Sequence, residues 1–239
     1  MSAPRFQNPV FAALDVPDLP KSLAIARAVA SHIGGLKVGL EFLTALGPGA
    51  VKDVASLGLP VFADTKFHDI PNTVAGASRA IAALGVAMFN VHASGGVAMM
   101  RAAKEAAASA DPKVKVIAVT VLTSMDDSDL AAVGQPAAAD QVVRLARLAQ
   151  SAGLDGVVCS PQEIAAVRAA CGPKFLIVTP GIRPAGAELA DQRRVATPEM
   201  ALKAGADVLV IGRPITAAAD HAKEAAAIAG SLMPRKMAS

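Results

Sequence analysis

The sequence predicts an α/β fold, a (β/α)8 or TIM barrel formed by a single domain. Eight apolar, strand-like segments alternate with helical patterns along the chain, which is typical of repeated βα units and a parallel sheet. A length of 239 residues suits one barrel of this kind. The first turn, LDVPDLPKS, has no GxGxxG pattern. The alternation therefore favours a closed barrel over an open dinucleotide-binding sheet.

The predicted strands are short apolar runs, most of them rich in β-branched residues, and a helical pattern follows each one. The strands cover residues 10–14, 36–40, 60–64, 87–92, 114–122, 155–159, 174–179 and 207–212. The helical patterns cover residues 21–34, 47–58, 72–85, 95–109, 138–153, 161–172, 197–206 and 217–233. Most of these patterns end in Gly, and several open with Pro, Ser, Asn or Asp, as capped helices do.

Composition and charge argue against several classes of partner. The chain is 53% hydrophobic and only 3% aromatic, which suits closely packed amphipathic helices. The formal net charge is +3, but the basic residues are mostly scattered singly, so we expect no nucleic-acid partner. The uncharged stretch 80–100 is interrupted by Gly, Asn and His, so we expect no membrane span. Cys159 and Cys171 lack metal-ligand spacing, and the N-terminus lacks a signal-peptide pattern, so we expect a cytoplasmic protein.

Polar residues follow or end the predicted strands, where the sites of such barrels lie. They are Asp15, Lys37, Asp64, Lys66, His92, Thr123, Arg183, Gly212 and Arg213. This distribution predicts a site at the carboxyl ends of the strands.

The stretch VFADTKFHDIPNTV, residues 61–74, has the densest charge pattern. Strand side chains alternate, so Asp64 and Lys66 should point the same way. Asp69 should point elsewhere unless the chain turns after Phe67. Lys37 is anomalous because a lysine inside an apolar strand is rarely buried without a partner. Lys37 alone fits a lysine that snorkels from a strand edge, and Asp64 and Lys66 alone fit a structural ion pair, but together the three predict a charged array at the barrel mouth.

The segment after the eighth strand is a candidate phosphate site. Gly212 permits a close backbone approach, the following helix start offers N–H groups, and Arg213 offers a fork of donors. The same residues could simply cap the last helix. Arg183 is either a second phosphate donor or a solvated loop residue, and the loop 182–196, with Gln192, is a candidate lid. We expect no metal site, and we expect His68 and His92 to be structural.

These motifs together resemble one enzyme family. The segments are DTKFHDIPNT at 64–73, LD at 14–15, KVG at 37–39, VTVLTS at 119–124, TPGIR at 179–183, DQRRVATP at 191–198 and IGRPIT at 211–216. In order and spacing they closely resemble the orotidine 5'-phosphate decarboxylase family, in its common bacterial form.

The resemblance implies a homodimeric barrel enzyme that converts orotidine 5'-monophosphate to uridine 5'-monophosphate and CO2 without a metal or organic cofactor. It implies that Lys37, Asp64 and Lys66 form the catalytic array together with Asp69 of the partner subunit. Asp15, Ile70, Thr73, Thr123, Arg183, Gln192, Gly212 and Arg213 are the implied substrate-binding residues. Some relatives add a Tyr near the phosphate, whereas this chain has no Tyr.

Two other functions remain open from the sequence. Metal-dependent sugar-phosphate decarboxylases and synthases of the same superfamily resemble this chain at Asp64, Lys66 and Asp69, but they carry an acidic metal ligand in place of Lys37. A non-catalytic nucleotide-phosphate-binding barrel is the second alternative.

Overall fold

A computed structural model describes Phe6, residues 8–184 and residues 196–232 of the chain. Eight parallel strands pair in sequence order, and β1 also pairs with β8, so the sheet closes into a barrel. The strands are β1 (Val10–Ala13), β2 (Gly35–Val38), β3 (Val61–Phe67), β4 (Met88–His92), β5 (Lys115–Val119), β6 (Gly156–Val158), β7 (Leu176–Thr179) and β8 (Val208–Ile211). The predicted (β/α)8 fold class is confirmed.

Helices follow the strands around the outside of the barrel. They are α1 (Leu19–Val29), α2 (Leu40–Ala55), α3 (Pro71–Ala82), α4 (Gly96–Ala110), α5 (Asp127–Ala132), α6 (Ala138–Ser151), α7 (Ile164–Cys171), α8 (Pro198–Ala204), α9 (Arg213–Thr216) and α10 (His221–Ser231), with 3-10 turns at Ala93–Gly95 and Pro161–Glu163. Within the described ranges, no helix combines the length and apolar character needed to cross a membrane.

Strand alternation divides the core into two layers. In β1, Phe11 and Ala13 belong to the cluster inside the barrel, whereas Val10 and Ala12 pack with the outer helices. The interior layer is tight because Gly35 has no side chain: a Cβ there would lie 2.5 Å from two atoms of the Phe11 ring. The apolar interior forms a floor beneath the carboxyl ends of the strands.

Several predicted boundaries were wrong. The strand predicted over 114–122 ends at Val119, and the strand predicted over 36–40 ends at Val38. Helical structure begins at Leu40, seven residues before the predicted start, and Gly47, whose φ of 73° is not helical, divides α2 into two segments before Pro48. The unpredicted helix α5 is held by Asp126, which forms a capping box with Asp129.

Strand β3 also departs from prediction, because it continues past Asp64 to Phe67 through an irregular segment. Ala63 pairs with Phe89 and Phe67 pairs with Val91, so β3 spends four residues where β4 spends two. Within this bulge, Lys66 has a φ of 51° and is the one non-glycine residue at positive φ among the described residues. Such a conformation costs a residue with a Cβ roughly 1–2 kcal/mol, so surrounding contacts must hold it.

Candidate active site

An open pocket of about 510 Å³ lies at the carboxyl ends of the strands. Its size is within the range of small-molecule sites. Its apolar lining includes Ala13, Phe62, Val119, Val158 and Val210, which rise from the barrel interior. The charged and polar lining residues are Asp15, Lys37, Glu41, Asp64, Lys66, Thr123, Arg183, Arg213 and Thr216. A ligand in this pocket would therefore rest on apolar side chains and be surrounded by charges.

Lys37 of β2 connects two carboxylates, that of Asp15 just after β1 and that of Asp64 in β3. Its Nζ lies 2.9 Å from Asp15 Oδ1 and 3.3 Å from Asp64 Oδ2. The Lys37 side chain is 8% exposed, so it is neither a snorkelling surface lysine nor an unpaired one. Burial of an ammonium group is tolerated here because both neighbours carry the opposite charge.

Lys66 donates to the other oxygen of the same carboxylate, with Nζ 2.6 Å from Asp64 Oδ1. The prediction that Asp64 and Lys66 point the same way is therefore confirmed, although the intervening backbone is bulged rather than regularly extended. Burial would raise the pKa of Asp64, but Lys37, Lys66 and Asn90 outweigh it and hold that pKa below its ordinary value. Asp64 is thus an ionised carboxylate shared by two ammonium groups.

Asn90 of β4 supports this pair from inside the barrel. Its Nδ2 donates to Asp64 Oδ1 at 2.7 Å, and its Oδ1 accepts from the Lys66 N–H at 2.7 Å. Sequence reasoning gave Asn90 no role at the site, although an Asn at an inward position of an apolar strand was the available signal.

Two arginines mark a second charged part of the pocket. Arg183 is 8% exposed, and one of its terminal nitrogens donates to the Ile182 carbonyl at 2.9 Å. Burial, and then the Arg213 charge, lower the pKa of Arg183, so the pocket holds two cations that repel each other. Of the two sequence readings of Arg183, the solvated loop residue is excluded. An anion between the two guanidinium groups would relieve their repulsion.

Gly212 and Arg213 form the start of α9, which is a single turn. The Ile215 and Thr216 N–H groups both donate to the Gly212 carbonyl, at 2.8 and 3.0 Å. A helix this short contributes little dipole. The phosphate interpretation therefore depends on the arginine side chains and the Gly212 backbone.

The remaining predicted residues fall into three groups. Thr123 lines the pocket and is partly buried. Asp69, Ile70 and Thr73 are exposed and are not among its lining residues in the described part of the chain. Strand β3 ends at Phe67, but Asp69 still points away from Asp64 and Lys66, and its Oδ1 accepts from the Ile70 N–H at 2.7 Å. Gln192 lies outside the described residues.

The histidines near the site form a stacked pair. The His68 and His92 ring centroids are 5.5 Å apart with an interplanar angle of 27°. Burial lowers the pKa of His92, and His68 and Lys66 lower it further. Neither histidine lines the pocket of the described chain, which agrees with the structural role expected for both.

The donor set favours ammonium groups over a metal ion. Across the described ranges, no three His, Cys, Asp or Glu side chains are arranged to hold a metal. The Asp15 and Asp64 carboxylates both face Lys37 Nζ, which stands where a divalent ion would need to bind them together.

Known proteins resemble this chain over most of its length. A family model described as "Orotidine 5'-phosphate decarboxylase / HUMPS family" matches residues 8–228. A protein of Moorella thermoacetica named orotidine 5'-phosphate decarboxylase is 56% identical, covering 95% of this chain and 92% of that protein. One of the same name from Anaeromyxobacter dehalogenans is 58% identical, covering 93% and 97%. A crystal structure titled as orotidine 5'-phosphate decarboxylase from Lactobacillus acidophilus has a TM-score of 0.85 and 36% identity, covering 95% of this chain and 100% of that one.

Proposed function

The chain belongs to the orotidine 5'-phosphate decarboxylase / HUMPS family, and we propose that it converts orotidine 5'-monophosphate to uridine 5'-monophosphate and CO2 with Lys66 as the proton donor and no metal. The observation that carries this proposal is the contact of both Lys37 and Lys66 with Asp64, at 3.3 and 2.6 Å, above an apolar floor. A site that only binds a nucleotide needs no such array of alternating charges.

The substrate would span the two charged parts of the pocket. Arg183 and Arg213 suit the phosphate, because a phosphate dianion accepts several charge-assisted hydrogen bonds. Asp15 and Lys37 suit the ribose hydroxyls, since they offer an acceptor and a donor side by side. The pyrimidine ring would then lie near Thr123, with C6 facing Lys66.

The reaction breaks the bond between C6 and the carboxyl carbon, and the electron pair stays on C6 as CO2 departs. That pair lies in the ring plane and gains little from the π-system. Stabilisation must therefore come from a nearby positive charge, and Lys66 Nζ supplies it. Lys66 then donates a proton to C6 and recovers one from solvent.

Repulsion between Asp64 and the substrate carboxylate is a smaller contribution. Two like charges about 4 Å apart at an effective dielectric of about 20 repel by roughly 4 kcal/mol, whereas enzymes of slow reactions must supply about 20 kcal/mol. The greater share must come from preorganised charge around the carbanion, helped by binding of the phosphate.

We infer a homodimer in which Asp69, Ile70 and Thr73 of each subunit complete the partner's site, supported by their exposure beside the pocket-bearing strand β3. We further infer one domain and a cytoplasmic location. Two buried free cysteines support that location.

The test is CO2 release from orotidine 5'-monophosphate in excess EDTA. The wild-type chain should be active, and Lys66→Ala should lose at least about 1,000-fold in kcat, because it removes both the charge and the proton. Lys113→Ala, which removes an exposed lysine remote from the pocket, is the matched control. Activity that is lost in EDTA and restored by Mg²⁺ would favour the metal-dependent sugar-phosphate branch. Binding of uridine monophosphate without CO2 release would favour a non-catalytic barrel.

A further inference from the structure

The side-chain amide of Asn90 is fully buried and contacts both Asp64 and Lys66. We propose that Asn90 is a positioning residue, which orients the Asp64 carboxylate and fixes the backbone from which Lys66 reaches the substrate. This inference rests on the proposed decarboxylation, because it assigns Asn90 to the same site.

The first contact fixes the rotation of the Asp64 carboxylate. Asn90 Nδ2 donates to Oδ1, the oxygen that also accepts from Lys66 Nζ, while Oδ2 faces Lys37 Nζ. With Asn90 in place, each lysine has its own carboxylate oxygen. Without that donor, the carboxylate could turn, so that Lys66 would lose its aligned acceptor and Lys37 would lose its ion-pair contact with Oδ2.

The second contact holds the bulge of β3. Lys66 has a φ of 51°, which a side-chain-bearing residue rarely adopts, and the regular ladder with β4 is interrupted between Ala63 and Phe67. Asn90 Oδ1 accepts from the Lys66 N–H at 2.7 Å, and the Asn90 carbonyl accepts from Thr65 Oγ1 at 2.7 Å. The Asn90 side chain thus accepts a hydrogen bond from the Lys66 N–H where the backbone pairing of β3 with β4 is interrupted.

Asn90 is itself held rigidly. Strand β4 pairs with β5 without irregularity from Met88 to His92. The orientation of the amide is determined by its two partners, because the carboxylate only accepts and the backbone N–H only donates. A rigid anchor of this kind transmits position to Asp64 and Lys66 rather than following them.

The first experiment compares Asn90→Ala with Gln141→Ala. Gln141 is a buried amide on α6, remote from the pocket, so its removal controls for loss of a buried hydrogen-bonding group. Titration with uridine monophosphate counts the binding-competent sites of each variant, and kcat is expressed per competent site. Asn90→Ala should lower this kcat by about 10- to 100-fold with less than about a threefold change in nucleotide affinity. Gln141→Ala should keep the wild-type kcat per site.

The second experiment follows the pH dependence of Asn90→Asp. A carboxylate at position 90 would still accept from the Lys66 N–H, but it would repel Asp64 until it is protonated. Asp64 and Lys66 face this position from β3, His92 lies two residues along β4, and the paired residue on β5 is the uncharged Ile117. The kcat of Asn90→Asp should therefore rise, relative to wild type, as pH falls. The wild-type chain has the same histidines and controls for their titration.

The outcomes separate this inference from the proposed function. Wild-type CO2 release with an Asn90→Ala kcat per competent site within about threefold of wild type would overturn the positioning role alone. A pH profile of Asn90→Asp parallel to that of the wild type would also overturn it. Absence of CO2 release by the wild-type chain would overturn both.

Discussion

At the scale of single residues, Gly39 shows how close the backbone comes to the charged array. A Cβ on this residue would lie 2.7 Å from Lys37 Nζ and closer still to Asp15 Oδ1. Its φ of −101° is open to any residue, so space rather than conformation requires glycine here. The start of α2 is therefore part of the wall that holds Lys37 against Asp15.

Gly39→Ala should displace the Asp15–Lys37 pair. We expect kcat/KM to fall by about tenfold or more and the free energy of unfolding to fall by about 1–3 kcal/mol, as overpacking does. Steady-state kinetics and urea unfolding measure the two effects.

The matched control is Gly49→Ala in the second segment of α2, beyond the Gly47 kink, where an added Cβ meets nothing within 4 Å. It should leave kcat/KM unchanged and stabilise the helix by about 0.5–1 kcal/mol. Equal kinetics for the two variants would contradict the spatial role of Gly39.

The charged array was predictable from sequence because each member stands where an apolar strand ends or is interrupted. Asp64, Lys66 and Lys37 all gave that local signal. Gly39 gave no such signal, and Asn90 showed only a polar residue within an apolar strand, because the roles of both arise from contacts between elements that are distant in the chain. Asn90 lies 26 residues from Asp64, for example, and only barrel closure brings them together.

At the scale of elements, two aspartates secure the amino-terminal end of the barrel. Asp155, just before β6, accepts from the Val116 N–H, and Asp207, just before β8, accepts from the Ile177 N–H, at 2.7 and 2.8 Å. Each also pairs with a cation from an outer helix: Lys104 of α4 and Arg168 of α7, respectively. At each of these two places, an aspartate thus links one outer helix to two adjacent strands.

Arg168→Met should destabilise the barrel more than Lys104→Met. Arg168 donates to Asp207 and to the Gly172, Phe175 and Gly205 carbonyls, whereas Lys104 has Asp155 as its one hydrogen-bond partner in the described structure. Allowing for partial exposure, we expect losses of about 2–3 kcal/mol and about 1 kcal/mol, respectively. Urea unfolding measures both, and kcat should stay at the wild-type value because neither residue lines the pocket. Equal losses would indicate that the extra carbonyl contacts contribute nothing.

The order of strands and helices was predictable because the sequence pattern of each element lies within a short stretch of the chain. The bulge of β3 was not, because it reflects a mismatch in length between β3 and β4. Four residues of one strand span two of the other, and no pattern within residues 61–67 records the count on the neighbouring strand.

At the scale of the whole molecule, a group of exposed residues lies beside the site without lining the pocket of the described chain. Ile70 is 67% exposed, and Asp69 and Thr73 are exposed on either side of it. An exposed large apolar side chain is ordinary when alone, but here it adjoins the strand that carries Asp64 and Lys66. A second copy of the chain packed on this segment would cover Ile70 and bring a second carboxylate to the site.

Mixed dimers test whether Asp69 acts across the subunit boundary. Lys66→Ala and Asp69→Ala should each be inactive alone, and equal mixing with subunit exchange should restore about a quarter of wild-type activity, because half of the dimers then contain one intact site of two. Mixing Lys66→Ala with Asp64→Ala is the matched control and should restore nothing, because both residues belong to the same subunit's part of the site and every site then lacks one of them. Absence of recovery in the first mixture, after mass spectrometry has verified exchange, would place Asp69 outside the partner's site. Recovery in both mixtures would show that the regained activity does not depend on Asp69 acting across the subunit boundary, and it would contradict the shared site.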